Sequence, residues 1–362
     1  MTDRIGMALD LGAQALRVGW FFGVNQLVDR RTAALGSNRH YSPERPVPTR
    51  NELLGDLRNL MLRDAADVGA GRLPPTEINA GRLGQHLGRL QAMMRDLPEA
   101  VSRREERTFD TAKSAADTRP MPLGENGTDG ESVVPLPDYF TQDFHYQTGG
   151  YLTDESAKIY DVQVETLFYG SAQLMRRVGV RHALAATEGK DQRKVALADI
   201  ACGTGRFLRD IRRARPALKL TGVDLSSTYL DEARRHFGEL RAAKWVQANA
   251  EALPFETESQ DIVTSVFLFH ELPPDVRHTV AAEFARVLKP GGTLVFIDSL
   301  QMGDRPNWDG LLEAFPVRFH EPYYRQYAID PLEDIFTKAG LTVAETELAF
   351  LSKVVVARKP QD

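Results

Sequence analysis

Cysteine is almost absent from this sequence. Cys202 is the single one in 362 residues, so no intrachain disulfide can form, and a reducing, cytoplasmic setting is expected. An excess of basic charge is also missing: 45 Lys and Arg stand against 50 Asp and Glu, a formal charge of −5. That removes the global electrostatic pull that nucleic-acid-binding proteins exert. The short basic clusters Arg176, Arg177, Arg181 and Arg212, Arg213, Arg215 read as solvated helix faces. Long apolar runs are lacking too. The run from Val18 to Val28 falls far short of the about 20 residues that span a bilayer. MTDRIGMALD carries early acids and no small-residue cleavage pattern, so no secretory signal is read there. His270, His278 and His320 lack the paired spacing of a zinc site, and no metal is expected.

What is present divides the chain into three. In residues 1–98, Leu9, Ala13, Leu16, Trp20, Val24 and Leu27 step by threes and fours. So do Leu53, Leu57 and Leu60, and then Leu83, Leu87, Leu90, Met94 and Leu97. This spacing predicts a helical accessory region whose helices each bury one stripe. Residues 99–137, with RPMPLGENGTDGESVVPLP, predict a flexible linker. In residues 138–362 strands alternate with helices. VALADIA, LKLTGVDL, AKWVQANA, DIVTSVFLF and TLVFIDSL read as strands. GRFLRDIRRAR, STYLDEARRHF after an N-cap at Ser226, PDVRHTVAAEFARVL and residues 330–339 read as helices. Pro290-Gly291-Gly292 reads as a sharp turn, and LTVAETELAFLSKVVVARK as a strand pair. The fold class expected is α/β, a doubly wound, mostly parallel sheet with an N-terminal helical extension.

The first strand ends in Asp199, Ala201, Cys202, Gly203, Thr204 and Gly205 and turns into a helix. Glycines there let the backbone approach a bulky ligand, and the helix start offers free N–H groups. Asp224 ends the next strand about 20 residues later, where an acid accepts hydrogen bonds from ribose hydroxyls. A dinucleotide fingerprint would need a third glycine, and that position is Leu208. A Y-x-x-x-K pair after the fourth strand is likewise missing.

Together these segments resemble the class I S-adenosylmethionine-dependent methyltransferases, small-molecule type, with a quinone-methyltransferase-like core. The resemblance covers about residues 155–357. Asp199 to Gly205 is similar to the family's first motif, with Ala201 where its first glycine usually stands. Asn249-Ala250-Glu251-Ala252-Leu253-Pro254-Phe255 is similar to the third motif, with Asn in place of the frequent Asp. Asp261 to Phe267 and Leu288 to Leu294 match the fourth strand and the turn into the fifth. The resemblance implies a seven-stranded sheet whose closing strand inserts antiparallel at the edge, and S-adenosyl-L-methionine as cofactor. It assigns the cofactor to Asp199, Ala201, Cys202, Gly203, Thr204, Gly205, Asp224, Leu225, Asn249, Ala250 and Phe267.

Methyl transfer from a sulfonium is an in-line displacement, so the protein aligns the reactants and excludes water. A hydroxyl or acidic-carbon acceptor also gains from a general base. His270 and Glu271, just beyond the fourth strand, are candidates, with His320 as a third. Tyr146, Tyr151, His320, Glu321, Tyr323, Tyr324 and Tyr327 are candidate acceptor contacts, since aromatic walls with a few polar groups suit a ring-bearing or lipophilic molecule. Gly149-Gly150 could hinge a lid over the cofactor, and Cys202 reads as a small packing residue.

The expected function is methyl transfer to a small aromatic or lipophilic acceptor. Methylation of nucleic acid or protein is the alternative, although His-Glu-Leu-Pro-Pro stands where base methylases carry [DN]-P-P-[YF]. A cofactor-binding scaffold without turnover is another. Peripheral membrane contact through residues 7–29 and homo-oligomerisation are left open.

Overall fold

The computed structural model describes residues 3–37, 41–77, 83–108 and 136–361. Its centre is a seven-stranded sheet in the order β3-β2-β1-β4-β5-β7-β6. β1 (Ala196–Ile200) lies between β2 (Lys219–Asp224) and β4 (Gln260–Val266), and all three run parallel. β3 (Lys244–Gln247) extends the sheet beyond β2, and β5 (Leu288–Ser299) extends it beyond β4. Leu197, Ile200, Ile262, Val263 and the run Leu294 to Ile297 are buried. These apolar runs follow from helices covering both faces of a parallel sheet.

β6 (Thr342–Ala349) and β7 (Ser352–Arg358) form the antiparallel pair read from the sequence. The closing strand β7 does not take the edge, however. It inserts between β5 and β6, because its own run of valines is buried on both faces while β6 alternates with glutamates. The turn expected at Pro290-Gly291-Gly292 is absorbed into β5, with a register shift opposite Gln260 and Ile262. Gly291 takes φ 72° there.

Five helices of ten residues or more accompany the strands in this half. They are α4 (Asp154–Leu167), α5 (Ala172–Ala185), α7 (Ser227–Phe237), α8 (Pro274–Val287) and α9 (Asp309–Arg318), with the nine-residue α6 (Arg206–Ala214) just short of that length. Two shorter ones, α10 (Tyr324–Tyr327) and α11 (Leu332–Lys338), follow. α5 presses so closely on the sheet that a Cβ at Gly179 would stand 2.1 Å from Ile297 Cδ1.

Three helices precede this half: α1 (Arg4–Ala34), α2 (Arg50–Gly69) and α3 (Leu83–Glu106). α3 runs on through the first residues of the expected linker, because Val101 and Arg103 are buried there and the Arg103 guanidinium donates to the Tyr146 carbonyl at 3.0 Å. The linker residues 109–135 lie outside the described residues. α2 buries Leu57 and Leu60 against the main core, as its spacing predicts.

α1 departs from its predicted stripe. Leu9, Leu16, Trp20 and Leu27 face solvent, while Asp10, Gln14, Phe21, Val24 and Thr32 are buried. Specific partners draw the polar side inward. The Gln14 amide donates to Asp10 at 2.6 Å and to Asp64 at 2.7 Å, and Asp64 accepts from Arg177 Nε at 2.8 Å. Arg177 also donates to the Pro74 carbonyl. Burial pushes the Asp64 carboxyl up to about 6 against the pull of Arg177. Among the described residues no helix is long and apolar enough to cross a membrane.

Candidate active site

The carboxyl ends of β1, β2 and β4 open into a cleft of about 830 Å³, mouth included. Ala201, Gly203, Asp224, Leu225, Asn249, Ala250 and Phe267 line it, seven of the positions expected to hold a cofactor. The other expected positions lie behind this wall. Asp199 turns toward β4 and accepts from Thr264 Oγ1 at 2.7 Å. Cys202 is buried beside Gly222, where an added Cβ would meet its Sγ at 2.9 Å. Gly205 takes φ 73° as the N-cap of α6. Thr204 donates to Asp161 at 2.7 Å, and Arg206 Nε donates to the other oxygen of Asp161 at 2.7 Å. These four hold the loop's shape, so α4 clamps the bend from behind through Asp161.

Asp224 uses its carboxylate twice on the backbone, accepting from Gly203 N and Ser226 N at 2.8 Å each. Burial still pushes it up to about 6. Ser226 caps α7 through Tyr229 N, as read from the sequence. Ala201 carries φ 55°, a left-handed conformation that glycine adopts more readily. The lining contains two acids, Asp224 and Glu271, and no Lys, Arg or His. A cleft of that charge fits a cationic nucleoside and opposes a pyrophosphate. Apolar walls from Phe140, Leu225, Ala250 and Phe267 suit a purine ring, so the donor set fits S-adenosylmethionine.

His270 stands on the short turn Phe269–Glu271 after β4. Its Nδ1 lies 2.5 Å from Asp298 Oδ1 at the end of β5. Asp298 Oδ2 accepts the backbone N–H of Phe269 at 2.8 Å, which fixes the carboxylate. The ring's Nε2 then faces Glu271 Oε1 at 3.7 Å, and Glu271 accepts the Tyr151 hydroxyl. On the far side of Glu271 is His145, whose Nε2 is 4.0 Å away and whose Nδ1 is 3.0 Å from Glu321. Neither Glu321 oxygen makes a hydrogen bond of good geometry, although the side chain is fully buried.

The charges follow from these contacts. Burial alone would lower His270, but the Asp298 carboxylate, with Glu271 and Glu321, raises it to about 9. Burial raises Glu271 to about 7 against the pull of His270, and raises Glu321 well above the carboxylate range. Burial lowers His145 to about 3.

The structure brings His270, Glu271, Tyr151 and Glu321 together and separates the other candidates from them. His320 lies on the strap of residues 142–146, with Nε2 2.9 Å from Gln142 Oε1, and its carbonyl accepts from His145 N. It braces the strap because its ring packs against Phe144 and Tyr146. Tyr146 is buried in the same strap, and Tyr323 accepts from Gln142 at 3.2 Å. Tyr324 and Tyr327 are core residues whose hydroxyls are taken up by Ser299. Their rings flank His270 at 6.0 and 6.1 Å, so they position it without lining the cleft. The strap carries positive φ at His145, Tyr146, Gly149 and Gly150.

Sequence reasoning missed Asp298, Tyr139, Phe140 and Tyr229. Asp298 had a signal, being a lone acid in the apolar run TLVFIDSL. The aromatic three had none, because packing alone turns them to the cleft. Away from the cleft, His182, Glu345 and Glu347 lie within metal-ligand reach of one another, but Arg181 and Arg63 already neutralise Glu347.

A family model described as a methyltransferase domain matches residues 197–292. The chain is 34% identical over 198 residues to demethylmenaquinone methyltransferase of Lactococcus lactis, covering 48% of this chain and 72% of that protein. It is 34% identical over 146 residues to the ubiquinone/menaquinone biosynthesis C-methyltransferase UbiE of Desulfotalea psychrophila, covering 40% of this chain and 56% of that one. It thus spans little more than half of that relative's length. Human N-acetylserotonin methyltransferase, solved in complex with SAM, superposes with a TM-score of 0.49 at 14% identity, over 79% of this chain and 73% of that one. By its sheet order, its first-strand bend and the extent of its match to the Lactococcus protein, the chain belongs to the class I S-adenosylmethionine-dependent methyltransferases.

Proposed function

We propose that this chain methylates an oxygen or an acidic carbon of a small, hydroxyl-bearing aromatic or lipophilic acceptor, with His270 as general base. The observation that carries this reading is the His270–Asp298 pair, which sets Nε2 directly behind Glu271, an acid in the wall of a cleft whose lining has no basic side chain. Bound S-adenosylmethionine supplies the electrophilic methyl group. Asp224 accepts ribose hydroxyls, and Asn249 and Ala250 border the base. Neutral His270 takes the acceptor's proton at Nε2 while Asp298 holds the Nδ1 proton and stabilises the imidazolium. Glu271 and Glu321, raised by burial, exchange hydrogen bonds with the acceptor's hydroxyls. Tyr151 and the strap before it exclude water from the reacting atoms.

In this reading residues 138–362 form the catalytic unit and the helices of residues 1–98 an accessory layer. A reducing, cytoplasmic setting fits the single buried Cys202. Incubation with methyl-labelled cofactor and a panel of hydroxylated aromatics, demethylmenaquinone first, tests the reading, with a cell extract as a wider acceptor pool. Label in an organic-soluble small molecule is expected. Label confined to polymer, or cofactor bound with no product from any pool, would overturn it.

A further inference from the structure

The outward side of α1 carries no charge over most of its length. The exposed positions from Ile5 to Leu27 are Ile5, Ala8, Leu9, Gly12, Ala15, Leu16, Gly19, Trp20, Phe22, Gly23, Gln26 and Leu27. Ile5, Leu9 and Leu16 are 75%, 71% and 69% exposed, and Leu27 and Trp20 are 51% and 46% exposed. At 1.5 Å per residue this face runs about 33 Å. A solvated helix face normally carries charged side chains, and a contiguous apolar one marks a surface that something covers. The face lies opposite the side that α1 buries; among the described residues Trp20 meets His86 and Phe22 meets Tyr169 at its margins, while Ile5, Leu9 and Leu16 stay largely exposed.

Its spacing says what covers it. Laid antiparallel on a copy of itself with Leu16 opposite Leu16, α1 sets Trp20 against Gly12 and Leu9 against Gly23, with Ile5 meeting Leu27 at each end. Large side chains thus oppose glycines, and a Cβ at Gly12, Gly19 or Gly23 would meet nothing within 4 Å inside this chain. Mid-helix glycine costs helix stability, and close approach of a second helix is what it gives in return. The charged ends match in the same register. Asp3 falls within one residue of Arg30 of the second copy, and Arg4 within one residue of its Asp29.

We propose that α1 docks antiparallel against α1 of a second copy of this chain, about a two-fold axis at Leu16. Such an interface is isologous, each contact occurring twice. A single helix face lies toward the small end of stable interfaces, so the dimer forms in a concentration-dependent way.

Sedimentation of the full chain between about 1 and 100 μM tests this, and a monomer–dimer equilibrium is expected. Leu16→Glu places two buried charges at the axis and weakens association at least about 100-fold. Its helix content by circular dichroism stays unchanged, since Leu16 touches no core residue. A second measurement uses the buried position of Cys202. Under oxidising conditions Leu16→Cys cross-links into a covalent dimer, whereas Leu9→Cys does not, because the two copies of residue 9 are far apart in this register. A monomer at every concentration overturns the proposal, as does a dimer indifferent to Leu16→Glu. Equal cross-linking of both cysteine variants overturns the antiparallel register. A monomer that co-sediments with phosphatidylcholine–phosphatidylglycerol vesicles through this face assigns it to a lipid surface instead.

Discussion

The polar network beneath α1 and the polar cluster behind the cleft are both buried and both rich in acids, but their partners differ. Beneath α1, Asp64 is held by Arg177, and Asp10 accepts from Gln14, from Thr76 N at 2.6 Å and from the Thr76 hydroxyl. Behind the cleft, three carboxyls (Glu271, Glu321 and Asp298) surround two imidazoles, and neither oxygen of the Glu321 carboxyl makes a hydrogen bond of good geometry. Buried polar groups are nearly always paired in stable proteins. The paired set fixes the N-terminal helices to the sheet. In the proposed function, the Glu321 carboxyl is held for an acceptor that brings donors of its own.

This contrast can be broken by exchanging the effects of mutation. His270→Gln should cut kcat/KM by about 10²–10⁴ while leaving cofactor affinity nearly intact. Steady-state kinetics beside calorimetry would show it, and equal loss in both would make His270 a packing residue. Arg177→Met should do the reverse, costing about 3–5 kcal/mol of stability by stranding Asp64. Urea unfolding measures this, and adding Asp64→Asn should recover part of the loss.

The pH dependence sharpens the same comparison. His270 is raised from 6.5 to about 9, so its contribution to stability is complete below pH 6.5 and is lost as pH rises through about 9. Activity should move the other way, rising across that interval as the base becomes neutral. Asp298→Asn should shift the rising limb to lower pH, and a flat profile would argue against a base. The smallest effect is expected at Glu321. Its raised carboxyl favours the fold below about pH 4.3 and loses that contribution as pH rises. Glu321→Gln should therefore leave stability at pH 8 unchanged or raised by up to about 1 kcal/mol, while raising the KM for the acceptor.

Much of the cofactor end was legible in the sequence because local backbone needs dictate it. The bend at Gly203 and Gly205, the acid at Asp224 and the cap at Ser226 are set by neighbours in the chain, so residue type and spacing reveal them. The acceptor end was less legible. His145, the adjacent pair His270 and Glu271, Asp298 and Glu321 come from four separate segments, and no spacing rule links those segments. His320 and Tyr324 have the right chemistry and the wrong direction, because packing turned one to the strap and the other into the core.

The sequence by itself determined the alternation of strands and helices, the bend that meets a nucleoside and the helical nature of the N-terminal third. Each of these rests on hydrophobic period, capping and glycine conformation over a few neighbouring residues. Tertiary structure alone decided which side of α1 turns inward, where β7 enters the sheet and which carboxyls are left without partners. Those outcomes depend on competition between distant groups for burial and hydrogen bonds. Asp10 and Gln14 went inside because Asp64 and Arg177 were waiting there, and Leu16 was left outside in consequence.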